Sequence, residues 1–295
     1  MTEAIFVSIA VLLRIVTNPL ANVYQKQLAL KGINTLFINF LTYFALSVLC
    51  GILLFFSHRP EPGSDFWIYA IMGGLAGALG NNFLIKALQR GDLSVLGPVN
   101  AYKSVVGIIV GIFLLSEIPD VWGISGILLI IWGSYFVLET TDERFTWKLF
   151  KNPAIQFRIW AMILTAVEAV FVKKVILASS TFLAFAGWCI FGAFFSFLLL
   201  SVYRVRLKKE IHNAVNRIYL GKFALLVACV GTMQYTTNYV LEHMPVGYAL
   251  SLFQLSIIVS IFLGYKFFRE KEIGKKIVGS VIMLTGSVLI ILIKN

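Results

Sequence analysis

The chain is a succession of apolar runs, ten of them, each about long enough for a helix to cross the ~30 Å hydrocarbon core of a bilayer. They span 4–28, 33–57, 66–89, 95–115, 121–138, 154–177, 179–204, 219–241, 247–268 and 273–293. The runs are continuous rather than alternating, which selects helices over a barrel. Short connections hold the breakers: Arg59-Pro60-Glu61-Pro62-Gly63, Arg90-Gly91-Asp92, Ile118-Pro119-Asp120 and Met244-Pro245-Val246-Gly247. The longer ones, 139–153 and 205–218, are rich in charge. The expected fold is therefore an all-α integral membrane protein.

Composition agrees. Only 13% of residues are charged, about half of what a soluble domain carries, so the apolar surface must face lipid. The net charge of +11 comes from basic residues between apolar runs, where anionic headgroups collect them. No basic stripe alternates with stacking aromatics, so a nucleic-acid partner is not expected. Cys50, Cys189 and Cys229 lie inside apolar runs, an odd number that argues against a disulfide framework. Residues 1–14 lack a basic start and run into more helix, unlike a cleaved leader. His58, His212 and His243 do not cluster, and no HExxH, GxSxG, paired CxxC or phosphate-binding loop occurs. Neither an enzyme nor a metal or cofactor site is expected.

The sequence repeats itself. Shifted by 153 residues, Leu88 falls on Leu241, Glu117 on Glu270, Gly126 on Gly279, Gly133 on Gly286 and Ser134 on Ser287. The first helices align at a shift of 147, Tyr24-Gln25-Lys26 on Phe171-Val172-Lys173. Two halves, 1–144 and 145–295, would each hold five helices. An odd number inserts the second half upside down, an inverted repeat with its site at the midplane. Sorted by side, nineteen Lys and Arg fall on one face, including Arg144, Lys148, Arg204, Arg206, Lys208, Lys209, Lys266, Arg269, Lys271 and Lys275. Four fall on the other, Arg59, Lys173, Lys174 and Lys294. The bias puts the basic loops in the cytoplasm and both termini outside.

Three segments carry a resemblance: Leu96-Gly97-Pro98-Val99-Asn100-Ala101-Tyr102-Lys103, Gly111-Ile112-Phe113-Leu114-Leu115-Ser116-Glu117-Ile118 and the glycine-spaced run Gly123–Ser134. They resemble the drug/metabolite transporter superfamily, in its ten-helix EamA-type branch. Ser116 stands where that family usually has glycine, and Ser251 stands where the second copy would carry the proline. The resemblance implies a multi-pass inner-membrane transporter with helices 1–4 and 6–9 around a cavity and helices 5 and 10 outside it. It implies cytoplasmic termini, opposite to the charge sorting. It names no substrate.

Polar groups inside apolar runs need a reason, because a charge at the helix centre costs about 2.5–3.5 kcal/mol on insertion scales. Glu168, flanked by Ala166, Val167, Ala169 and Val170, could carry a coupling proton, pair with Lys103 or Arg14, or bind substrate. Lys103, with Asn100 one turn earlier, could meet an anionic group of a substrate or pair with Glu168. Arg14, Asn18, Asn22 and Gln25 form one polar stripe past Pro19, either cavity lining or interhelical glue. Asn81 and Asn82 in the third run, Gln234 and Asn238 in the eighth and Gln254 in the ninth offer amides to one central space. Trp188 and Tyr43 would be aromatic walls or plain packing. Gly73, Gly77, Gly107 and Gly111 suit close helix packing. The expected function is secondary active transport of a small polar metabolite, anionic or zwitterionic if Lys103 and Arg14 meet it, by alternating access and coupled to protons. An exporter of lipophilic cations would instead want an unpaired Glu168 and an aromatic box. A polytopic membrane enzyme would need His or Asp at an interface. Monomer and homodimer stay equally open.

Overall fold

A computed structural model describes residues 2–56, 62–93, 96, 99–139, 151–214, 217–270 and 273–292. Arg59, Gly97, Pro98, Arg144, Lys148, Lys271 and Lys294 of the sequence argument lie outside them. The described residues form α1 (Thr2–Leu30), α2 (Thr35–Phe55), α3 (Ser64–Arg90), a 3-10 turn (Asn100–Tyr102), α4 (Lys103–Leu115), α5 (Val121–Glu139), α6 (Pro153–Ala178) and α7 (Thr181–Val202). They continue as α8 (Leu207–Ala214), α9 (Arg217–His243), α10 (Val246–Phe253), α11 (Ser256–Phe268) and α12 (Ile273–Leu292). No strand occurs among them.

Local chemistry sets the boundaries. Asn34, Asn152 and Ser180 cap α2, α6 and α7 by accepting backbone N–H bonds from Leu36, Ala154 and Leu183, groups that would otherwise be orphaned at a helix start. Pro153 follows at the first turn of α6, where its missing N–H costs nothing. Asp120 caps α5 by accepting from the Gly123 N–H at 2.6 Å, as its turn position suggested. α4 and α11 end in left-handed residues, Ser116 at φ 57° and Arg269 at φ 57°. That conformation is why glycine is the family's usual residue at the first position. Ser116 and Arg269 are also 153 residues apart.

Five segments are long and apolar enough, taken alone, to cross a membrane: Glu3–Leu30, Thr35–Phe55, Ser64–Arg90, Thr181–Val202 and Val246–Phe268. Their outward faces carry exposed Phe6, Leu12, Leu53, Trp67, Leu198 and Phe262, the belt a lipid solvent requires. α6 is not among them, although its 26 residues would reach about 39 Å at 1.5 Å per residue. Its Arg158, Glu168 and Lys173 are buried in protein instead. Two expected continuous helices are broken. The run 95–115 turns through 3-10 geometry at Asn100–Tyr102, and 247–268 breaks between α10 and α11 at Gln254-Leu255. The connection 205–218 was expected to be simple loop; α8 occupies most of it. There Glu210 is buried and accepts the Asn34 N–H at 2.9 Å, which ties this helix to the start of α2.

Helices pack in pairs: α3 with α6, α1 with α9, α4 with α6, α1 with α11, α2 with α7, α4 with α10, and α5 with α12. The last pair touches through glycines. A Cβ on Gly286 would stand 2.5 Å from the Gly126 carbonyl, and one on Gly133 2.6 Å from the Gly279 carbonyl.

Candidate functional site

α1 to α4, α6, α7, α9 and α10 contribute to the wall of a cavity of about 90 Å³. One water needs ~10–15 Å³ on that measure, so the space takes several. Eleven of the fourteen polar and aromatic residues singled out in the sequence line it: Arg14, Asn18, Asn22, Gln25, Tyr43, Asn81, Asn100, Lys103, Glu168, Trp188 and Gln234. Three do not. Asn82 accepts from the Thr35 hydroxyl at 3.2 Å. Asn238 packs its amide 3.0 Å from that of Gln234. Gln254, buried at the α10–α11 break, accepts from Asn100 at 3.3 Å. The two helix breaks therefore touch each other beside the cavity.

Glu168 forms no ion pair with Lys103 or Arg14. Its carboxylate accepts the Trp188 indole N–H instead. The Trp188 ring in turn packs on Tyr43, ring centroids 4.5 Å apart. Gly77 makes this possible: a Cβ there would lie 2.6 Å from Glu168 Oε1. Arg14 donates through Nε to the Thr237 hydroxyl at 2.7 Å, and its guanidinium lies 4.8 Å over the Phe253 ring. Its Nη1 is buried without a partner, as are Gln25 Oε1 and the Tyr43 hydroxyl, all on cavity-lining residues. Lys103 has no hydrogen-bond or ion-pair partner among the described residues.

Several lining residues escaped the sequence argument. Arg158 was counted with the loop cations, yet it is buried on α6, lines the cavity and donates through Nε to the Leu96 carbonyl at 3.0 Å. Its place five residues inside an apolar run was the available signal. Asn39, fully buried on α2, joins an amide chain in which Gln25 donates to Asn81 at 3.2 Å, Asn81 to Asn39, and Asn39 to Ser196 at 3.0 Å. Thr165, Thr237 and Phe253 complete the lining.

A buried lysine and a glutamate stand toward each end of the cavity. At one end, buried Lys26 donates to the Gly91 carbonyl at 2.9 Å and pairs with Glu270 at 3.3 Å. Glu270 also accepts the Leu93 N–H at 2.8 Å. At the other end, Lys173 donates to the carbonyls of Leu241, Glu242 and Met244. Glu117 accepts the Val246 N–H at 2.7 Å. Lys173 was expected in a solvated loop; it is a buried cation set against the C-terminal end of α9, where the helix dipole favours positive charge. A smaller space lined by Asn18, Asn22, Leu93, Arg158, Ser256 and Ser260 continues the cavity toward the Lys26 end.

A protein of Streptococcus agalactiae serotype V named "putative sugar uptake protein" is 27% identical over 95 residues, 30% of this chain and 33% of its own length. One of the same name from Streptococcus pyogenes serotype M1 is 25% identical over 252 residues, 80% of this chain and 83% of its own. This chain thus matches a third of the first relative's length and most of the second's. A solved crystal structure superposes with a TM-score of 0.70 at 17% identity, over 99% of this chain and 96% of that one, and shows the same fold. The profile of the EamA-like transporter family matches residues 6–139 and 152–292. The chain is therefore a multi-pass membrane protein that belongs to the EamA-like transporter family and through it to the drug/metabolite transporter superfamily.

Proposed function

We propose that this protein is a secondary active transporter that carries a small polar solute through its central cavity by alternating access. The observation that carries the reading is the cavity itself: a polar chamber between the two halves, with a buried lysine and a glutamate that accepts a backbone N–H toward each end. The two ends correspond at the repeat shift, since Glu117 and Glu270 differ by 153 and so do Val246 and Leu93. The breaks at 100–102 and 254–255, and the packing of α3 with α6 and α1 with α9, correspond in the same way. This supports ten spanning helices in two inverted units, 1–144 and 145–295, that rock about a midplane site. The sorting of Lys and Arg supports an inner-membrane protein with its basic loops in the cytoplasm and its termini outside.

The lining suits hydroxyl-rich solutes. Six amides, Thr165 and Thr237 offer donors and acceptors, while Trp188 and Phe253 offer apolar faces. The names of the streptococcal relatives point the same way, toward sugars. Glu168 is the one carboxylate of the lining and has no contact ion pair to hold it fixed, which supports a role as the proton carrier. Purified protein in proteoliposomes should show counterflow, a transient accumulation of labelled solute into vesicles preloaded with unlabelled solute. Glu168→Gln should keep counterflow and lose uptake driven by a pH gradient. Gradient-driven uptake that survives in Glu168→Gln would remove Glu168 from coupling. Absence of counterflow across a panel of sugars, amino acids, amines and nucleosides would sink the carrier.

A further inference from the structure

We propose, building on the carrier reading above, that the transported solute is a small polyhydroxylated anion of the sugar-acid class, its carboxylate held between Arg14, Arg158 and Lys103. The cavity wall carries three cations and one acid. The two guanidiniums alone outnumber the carboxylate, and arginine keeps its charge in proteins. Such an excess is costly away from water unless an anion offsets it.

The cations are also left with bonds to make. Arg14 is oriented by Thr237 and the Phe253 ring, which leaves Nη1 buried and unpartnered. Its residue is 8% exposed. Arg158 uses Nε on the Leu96 carbonyl and faces the cavity with the rest of its fork. Lys103 is partnered by no described residue. Guanidinium forks match a carboxylate with two parallel bonds, so this set specifies an anion rather than a diffuse field. The one acid of the lining interacts with Lys103 and Arg14 only through space, and its carboxylate is hydrogen-bonded to the Trp188 indole, which packs on Tyr43, so a single negative charge is shared among three cations. The amides of Asn18, Asn22, Gln25 and Asn81 then remain for hydroxyl groups.

The test uses full-length protein in nanodiscs and small polar probes of five or six carbons. Gluconate, glucuronate and galacturonate are compared with glucose, glucosamine and the zwitterion glutamine, by melting temperature and titration calorimetry. A specific ligand raises the melting point by mass action. At least one acid should bind tenfold or more tightly than every neutral, cationic or zwitterionic probe. Lys103→Gln should weaken that acid at least tenfold while the ligand-free protein melts no lower than wild type, because the lysine's removal relieves charge and breaks no bond. Binding of glucose, glucosamine or glutamine as tight as any acid would overturn the assignment, as would no acid binding or a Lys103→Gln protein that binds the acid undiminished. Counterflow of a neutral sugar with acids ignored would end the anion assignment and leave the carrier standing. No counterflow for any probe class would end both.

Discussion

The two ends of the cavity are built on the same plan and differ in their further contacts. At each, a glutamate four-fifths of the way through its repeat accepts a backbone N–H from the start of the opposite broken helix, and a lysine from the first helix of a half binds carbonyls nearby. The Lys173 end adds further ties. Tyr248 donates to Asp120 at 2.8 Å, Thr181 to Glu242 at 2.5 Å, and His243 lies 3.3 Å from Glu3. The Lys26 end has its own further contacts, Asp92 at 3.8 Å from the Lys26 ammonium and the Phe268 ring 4.4 Å below it, together with the side chamber running toward it between Leu93 and Ser260. On the alternating-access reading proposed above, that chamber marks the Lys26 end as the nearer to opening.

The strongest way to break that comparison is Lys26→Met. It takes the cation from the buried Lys26–Glu270 pair, and removing one member of a buried pair costs about 3–5 kcal/mol. A large fall in melting temperature is expected, and a cysteine at Ser260 should react with a thiol reagent at least tenfold faster. An unchanged Ser260→Cys rate would mean the Lys26 pair closes nothing.

The next test sets two equivalent glycines against each other, Gly111 and Gly264, 153 residues apart. A Cβ at Gly264 would collide with the Glu270 carboxylate, whereas one at Gly111 would sit at an ordinary 3.6 Å from Glu117. Gly264→Ala should therefore cost about 1–3 kcal/mol, the range for overpacking, and Gly111→Ala far less. Equal melting shifts would show that the two ends do not differ as described. Tyr248→Phe removes the hydrogen bond its hydroxyl donates to the Asp120 carboxylate and the one it accepts from the Asp120 N–H, each worth about 1 kcal/mol. It should raise solvent access from the Lys173 end only. The smallest effect is expected where the halves agree. Ser116→Gly and Arg269→Gly relieve left-handed strain of roughly 1–2 kcal/mol per residue, less what glycine loses in chain entropy, so both should raise the melting temperature slightly and alike.

Much of this was legible in the sequence because membrane solvent leaves few options. An apolar run of twenty residues must be helix, and Glu168, Lys103 and Arg14 needed either a cavity or one another as partners. The polar stripe from Arg14 to Gln25 lies along one helix because α1 continues past Pro19, and its members stand at the cavity. What escaped was set by tertiary contacts. Arg158 and Lys173 look like ordinary flanking cations until α6 is seen to bury them. The partner of Glu168 is an indole N–H from α7, twenty residues on, where charge alone suggested a lysine or arginine. The break at Gln254 has no Gly or Pro beside it, so nothing local announced it, whereas Gly97-Pro98 precede the break at Asn100 and were a signal left unused.

The central claim is that one chamber is reached from two sides in turn. It is tested most directly by placing a single cysteine at Thr165, which lines the cavity, in protein freed of Cys50, Cys189 and Cys229. Labelling by a membrane-impermeant thiol reagent is then measured from each face of oriented vesicles. The account predicts labelling from both faces, and loss of labelling from the Lys26 face alone when Lys26→Cys and Glu270→Cys are bridged by a short bifunctional thiol cross-linker. Labelling from one face only in the unbridged protein, or labelling from both faces after bridging, would contradict it.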